Sequence, residues 1–197
     1  MAPRKFVIDT SLFVNPHARK QFGKDPKSAA KSFARKAESF DADFFMPPSV
    51  FKELHNFIGD TSDELEGVVK KRAPNIYATY LPAAVLYHFI DDIRGRINKG
   101  LRLSEEFARD NHPDNDAKLV KLRDKYRDAM RSGIVDSKED FELVLLAKEL
   151  EATIVSADEG ILHLADELGC EWINAVKFSA IYSKFPKRAK TSKKRGK

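Results

Sequence analysis

The 197-residue chain has a single cysteine, Cys170. One thiol excludes a disulfide within the chain and any metal site built from several cysteines. It also favours a reducing compartment, so we expect the protein to be cytoplasmic. The five histidines show no spacing typical of a zinc site.

Long apolar runs and phosphate loops are also missing. No window approaches the roughly 18 consecutive apolar residues that a membrane span requires, so no membrane partner is expected. The first residues lack an apolar stretch followed by a cleavage site, and we expect no signal peptide. No glycine-rich phosphate loop occurs, which argues against nucleoside triphosphate hydrolysis. Hydrophobic residues nevertheless make up 42% of the chain, enough for a core.

The formal net charge of +5 hides two opposed segments. Residues 133–186 carry 4 basic and 11 acidic side chains, a net charge of −7, and residues 187–197 carry 7 basic side chains and no acidic one. We expect the 187–197 tail to be disordered, and it could add non-specific affinity for nucleic acid or serve only solubility.

Strand and helix patterns alternate at the two ends of the chain. Strand patterns occur at residues 5–9, 44–46, 152–156 and 171–173. Helical patterns occur at residues 28–40, after a cap at Ser49, at 137–150, at 159–168 and in a final helix that ends at about residue 182. This alternation predicts parallel strands with crossover helices, so residues 1–60 and 133–186 are expected to form one α/β core.

Residues 61–132 are charge-dense and helical in pattern. One apolar stripe runs through Leu86, Ile90, Ile93 and Ile97 towards a stop at Gly100, and a second helix is predicted over residues 114–131. We interpret this segment as a helical insertion that projects from the core. Two surface helices of a single compact domain are the alternative.

Four carboxylates fall where a parallel sheet collects functional groups, beyond the carboxyl ends of strands or at a helix start. They are Asp9, Asp136, Asp140 and Asp158. All-oxygen ligation suits Mg²⁺ or Mn²⁺, and such a site is typical of phosphodiester hydrolysis. Each acid also has a simpler reading, as a strand-end turn residue, a helix cap or a first-turn acid.

Two further acids fit less directly. Glu142 lies about 200° round an ideal helix from Asp140, so only its long side chain or a distorted first turn would bring it to the same pocket. Glu53 could form an imperfect capping box with Ser49. Thr10 and Ser11 could orient a phosphate or a metal-bound water, or form a hydroxyl-rich turn.

Arginines recur every four residues on the 114–131 helix, at Arg123, Arg127 and Arg131. Such a stripe can follow a phosphate backbone and is a candidate RNA-binding surface. The interleaved Asp124 and Asp128 also fit a solvated face with ion pairs.

Four motifs are distinctive: residues 6–16 (FVIDTSLFVNP), 46–49 (MPPS), 136–140 (DSKED) and 155–161 (VSADEGI). In these motifs the chain resembles the HARP family of minimal protein-only ribonuclease P enzymes, also described as RNA ligase partner proteins, among the PIN-like nucleases. The resemblance implies a PIN-like α/β core with a helical protrusion for RNA binding and oligomerisation, and a homo-oligomer built from dimers.

The same resemblance implies a metal-dependent endoribonuclease that removes the 5′ leader of precursor tRNA. The family's metal-site acids correspond to Asp9, Asp136, Asp140 and Asp158, its further essential acid to Glu142, and the second acid of PIN domains to Glu53. Its RNA-contacting arginines correspond to Arg123 and Arg127. The alternatives are a PIN-type toxin ribonuclease and a non-catalytic RNA-binding partner of an RNA ligase.

Overall fold

The computed structural model describes residues 3–110, 114–131 and 137–182, and the chain divides into two units. One unit comprises the residues up to Thr79 and from Glu139 onward, and the other runs from Tyr80 to Lys138. The apolar strand patterns found in the sequence form the sheet of the first unit. Among the described residues, no helix combines the length and apolar character needed to cross a membrane.

The first unit is built on a five-stranded sheet whose neighbouring strands pair in parallel, with the order β3-β2-β1-β4-β5. The strands are β1 (Arg4–Ile8), β2 (Ala42–Met46), β3 (Val69–Lys71), β4 (Thr153–Ser156) and β5 (Trp172–Asn174). Val7 is paired with Phe45 on one side and with Ile154 on the other, so β1 lies at the centre. Parallel pairing brings the carboxyl ends of β1 and β4 together, and we call this end of the strands the sheet edge.

Helices connect these strands in the alternating manner that the sequence predicts. They are α1 (Ser11–Val14), α2 (Pro16–Arg19), α3 (Pro26–Ala37), α4 (Pro48–Ile58), α5 (Ser62–Glu66), then α6 (Ala83–Arg109) and α7 (Asn115–Arg131) in the second unit, and α8 (Lys138–Leu150), α9 (Glu159–Glu167) and α10 (Phe178–Tyr182). The PIN-like α/β architecture expected from the resemblance is confirmed.

Aromatic packing holds the helices against the sheet. The buried ring of Phe33 on α3 makes edge contacts with Phe13, Phe22 and Phe44, with centroid separations of 5.4, 5.6 and 5.1 Å. Phe44 on β2 also stacks on Phe6 of the central strand. Each such pair adds about 0.5–1.5 kcal/mol to the gain from burial, so this cluster anchors β1 and the acid that follows it.

The sequence pattern predicts that residues 61–79 belong to the helical insertion, but the structure places them in the first unit. Val69 is buried and pairs with Phe44, which makes β3 the edge strand of the sheet. Lys70 and Lys71 follow it as exposed residues. Because edge strands are short and often carry lysine, the segment has too little apolar pattern to be recognised as a strand.

The second unit contains α6 and α7, and α6 continues past Gly100 to Arg109. The prediction that Gly100 ends the helix is therefore wrong. Gly100 is buried, and a Cβ atom built on it would lie 2.7 Å from Tyr126 Cε2 and 3.0 Å from Met130 Cε. The glycine allows α7 to approach α6 closely, because a larger residue would meet these side chains.

Candidate active site

Asp9 is the central acid of the candidate site. It follows β1 directly and is only 5% exposed. Its backbone N–H donates to the carbonyl of Val155 at 3.0 Å, which ties the end of β1 to the neighbouring β4. The sequence prediction that Asp9 lies at the carboxyl end of a buried strand is confirmed.

Three hydroxyl groups hold the Asp9 carboxylate. Ser156, which is fully buried at the end of β4, donates from Oγ to Asp9 Oδ2 at 2.7 Å. Ser11 Oγ donates to the same oxygen, and Thr10 Oγ1 donates to Oδ1 at 3.3 Å. A buried carboxylate requires such donors, and here they fix its orientation at the sheet edge without adding charge.

Asp158 stands two residues after β4 and begins the next helix. Its Oδ1 accepts hydrogen bonds from the backbone N–H of Gly160 at 2.8 Å and of Ile161 at 3.2 Å, so it is the N-cap of α9. Its own N–H donates to Ser156 Oγ at 3.0 Å. Ser156 thus connects the two acids that the sequence analysis placed after adjacent strands.

Glu142 lies on α8 and contacts α4. Its Oε2 accepts a hydrogen bond from Ser49 Oγ at 2.5 Å. Ser49 was predicted to cap α4, but the helix begins at Pro48, and Pro47, which has no capping oxygen, occupies the N-cap position. The predicted cap is therefore wrong, and the serine hydroxyl serves a contact between helices instead.

Glu53 is an exposed residue of α4, and we call Asp9, Glu53 and Glu139 the acidic region. Partial burial raises the pKa of its carboxyl group above the ordinary value, and the negative charges of Asp9 and Glu139 raise it further. Carboxylates that disfavour one another's ionisation form a region of negative potential suited to a cation. Glu139, which the sequence analysis did not select, contributes to this region.

The structure places Asp140 in the first turn of α8, where it is partly buried. Asp136 lies outside the described residues, so the expected meeting of Asp136 and Asp140 on one face stays a prediction. Within the described part of the chain, no three His, Cys, Asp or Glu side chains form a group that could hold a metal ion.

The donor chemistry fits a hard divalent cation. The acids here are carboxylates accompanied by serine and threonine hydroxyls, and oxygen ligands of this kind suit Mg²⁺ or Mn²⁺.

The predicted arginine stripe lies on α7. Arg123 and Arg127 are exposed, and Arg127 Nη1 lies 3.4 Å from Asp124 Oδ1 on the same helix. The ion pairing that the sequence analysis gave as an alternative is thus present at Arg127, and such a solvated pair contributes little to stability. Arg131 ends the helix, and its side chain lies outside the described residues.

Three residues contact or act on the candidate acids in ways that the sequence did not predict: Ser49, Glu139 and Ser156. Glu139 stands three residues before Glu142, a spacing that places both on one helix face, and this signal was available. The two serines carried none, because their partners are 93 and 147 residues away along the chain.

The fold and the acids at the sheet edge define a PIN-type nuclease, and the family described as PINc domain ribonuclease matches residues 5–186. Relatives are named RNA-free ribonuclease P. The one from Pyrococcus furiosus is 44% identical over 97% of this chain and 98% of its own, and that from Thermococcus onnurineus is 47% identical over 90% and 92%. The relative from Alkalilimnicola ehrlichii is 42% identical over 87% and 92%. The chain belongs to this RNA-free ribonuclease P (HARP) family.

Proposed function

We propose that this protein is a protein-only ribonuclease P, an endoribonuclease that removes the 5′ leader of precursor tRNA and leaves a 5′-phosphate on the mature tRNA. The observation that carries the proposal is the buried, hydroxyl-held Asp9 beside Asp158 in a chain that matches RNA-free ribonuclease P enzymes along most of its length. We expect it to act in the cytoplasm.

Mg²⁺ or Mn²⁺ would be held by Asp9, Asp136, Asp140 and Asp158, with Glu53 beside them, and Glu142 would be a further catalytic acid. A divalent cation lowers the pKa of an attacking water and stabilises the leaving oxygen of the phosphodiester. The chain's own contribution is positioning. Ser11 and Ser156 fix Asp9, and the α9 cap fixes Asp158.

Cleavage of a precursor tRNA by the pure full-length protein tests this function. We expect one cut at the mature 5′ end with Mg²⁺, and loss of the cut with EDTA and in Asp140→Asn. Cuts scattered through mature RNA would favour a toxin-type ribonuclease. Absence of any cut would favour a non-catalytic RNA-binding partner.

The arginines of α7 are proposed to bind the tRNA body through its phosphates and shape, since A-form RNA offers little base information to side chains. We expect Arg123→Ala with Arg127→Ala to weaken precursor binding at moderate salt. Arg102→Ala with Arg109→Ala, on α6, removes the same charge from exposed positions off the stripe. Equal weakening by both pairs would contradict a specific role for the stripe.

The apolar stripe of α6 supports the proposal of a homo-oligomer built from dimers. Leu86, Ile90, Ile93 and Ile97 are 57%, 42%, 39% and 60% exposed. A row of large exposed apolar side chains along one helix is typical of an interaction surface. We expect Ile90→Glu with Ile97→Glu to reduce the oligomer mass measured by light scattering, and an unchanged mass would contradict the proposal.

A further inference from the structure

Ser49 occupies an unusual position for a serine near a helix start. It is the second residue of α4, which begins two residues after β2 ends and therefore at the same sheet edge as Asp9. Serine near a helix start commonly caps its own helix. Here Pro47 takes the N-cap position, and the Ser49 hydroxyl donates to Glu142 on α8.

The bond lies between two helix faces that carry acids. Ser49 and Glu53 are four residues apart on α4, and Glu139 and Glu142 are three apart on α8, so each pair shares one face. The Ser49 hydroxyl donates to Glu142 Oε2 across these two faces. The two faces therefore meet at this hydrogen bond.

The chemistry of the donor suits this place. A hydroxyl carries no charge, so it can orient one oxygen of Glu142 without neutralising the carboxylate. The first turn of α4 adds the favourable field of a helix N-terminus. This contact also fixes the direction of the long Glu142 side chain. The position of Glu142 on an ideal helix, about 200° round from Asp140, does not by itself direct that side chain to the same pocket.

We propose that Ser49 is a positioning residue that orients Glu142 at the acidic site through its hydroxyl group. The proposal deepens the proposed function and rests on it for the role of Glu142. Partners that orient the groups around a metal commonly change metal affinity or activity by about 10–100-fold when they are removed.

The test combines two readouts on the full-length protein. Mn²⁺ binding is measured by titration calorimetry, and the single-turnover rate is measured on a precursor tRNA at saturating protein. The variants are Ser49→Ala, Ser49→Thr, which keeps the hydroxyl, and Glu142→Gln alone and combined with Ser49→Ala. Ser39→Ala is the matched control, because it removes an exposed hydroxyl, just past the end of α3, that donates to the backbone carbonyl of Lys36.

We expect Ser49→Ala to weaken Mn²⁺ binding and to slow cleavage by about tenfold each, with precursor affinity unchanged. Ser49→Thr should stay close to wild type, and Ser49→Ala should add no further loss in the Glu142→Gln background. If Ser49→Ala lowers the melting temperature, Ser49→Cys replaces it, because a thiol keeps the volume and donates weakly.

Wild-type values in Ser49→Ala, or an equal loss in the Glu142→Gln background, would overturn the proposal. A wild-type protein that binds Mn²⁺ but cuts no precursor would contradict the proposed function alone, and the calorimetric comparison would still decide the role of Ser49. A wild-type protein that neither binds Mn²⁺ nor cuts would overturn both.

Discussion

Replacing Ser156 by alanine removes the hydroxyl that connects Asp9 with Asp158. The side chain is fully buried, so water cannot replace its hydrogen bonds. It donates to a carboxylate at 2.7 Å and accepts from a backbone N–H at 3.0 Å. A hydrogen bond to a charged group contributes about 1.5–3 kcal/mol and a neutral one about 0.5–1.5 kcal/mol.

Ser11 still donates to the same Asp9 oxygen, so the expected loss lies in the lower part of this sum. We expect Ser156→Ala to lower the free energy of unfolding by about 2–3 kcal/mol. In an Asp9→Asn background the charge is gone, and the loss should shrink to about 1 kcal/mol. Ser39→Ala, an exposed control, should change stability by less than about 0.5 kcal/mol.

The assay is guanidinium unfolding in EDTA, followed by tryptophan fluorescence. The only tryptophan, Trp172, lies on β5, so the signal reports the first unit alone and avoids a mixture of two transitions. A Ser156→Ala protein within about 0.5 kcal/mol of wild type would refute the reasoning. So would a loss of the same size in the Asp9→Asn background.

Four other variants probe charge and packing. The backbone N–H of Asn75, and after it Arg72, lowers the pKa of Glu149 below its ordinary 4.5, so the stability that this carboxylate adds is lost as the pH falls through the lowered pKa. Glu149→Gln should be less stable than wild type at pH 7, and the difference in unfolding free energy should shrink as the pH is lowered below 4.5; a difference that does not change with pH would contradict this. Partial burial, and after it the charges of Asp9 and Glu139, raises the pKa of Glu53, so the ionised carboxylate destabilises the metal-free fold increasingly as the pH rises from 4.5 to that raised pKa. In EDTA, the stability of Glu53→Gln relative to wild type should increase over that range; a pH-independent difference would contradict this. A methyl group added by Gly95→Ala on α6 would enter open space, so this variant should stabilise the helix by about 1 kcal/mol, whereas the methyl group of Gly100→Ala would contact Tyr126 and should stabilise the helix less or destabilise it. Hydrogen exchange of α6 measures both effects, and equal stabilisation by the two variants would contradict the close approach of α7 to Gly100.

The sheet was predictable where apolar runs end in an acid. The runs before Asp9 and after Leu150 are long enough to indicate buried strands, and parallel topology then places Asp9 and Asp158 together. β3 was not predictable, because only Val69 of its three residues is buried. Gly100 was misread because a glycine at a helix end and one at a helix crossing look alike in sequence.

The positions of Asp9 and Asp158 after their strands were predictable, and the groups that orient these two acids were not. Acids at strand ends repeat a local pattern, whereas the hydroxyls of Ser156 and Ser49 act on partners brought near only by folding. A serine has no distinguishing context in the sequence, since the same residue type serves caps, turns and surfaces.

We infer that the acids at the sheet edge support cleavage of precursor tRNA at one phosphodiester. Mapping the 5′ end and its chemistry after incubation of a precursor tRNA with Mg²⁺ tests this most directly, with wild type compared to Asp9→Asn. We predict that wild type gives a single product with a 5′-phosphate at the mature end, and that Asp9→Asn gives none. Equal cutting by Asp9→Asn, or cuts away from the mature 5′ end, would contradict the account.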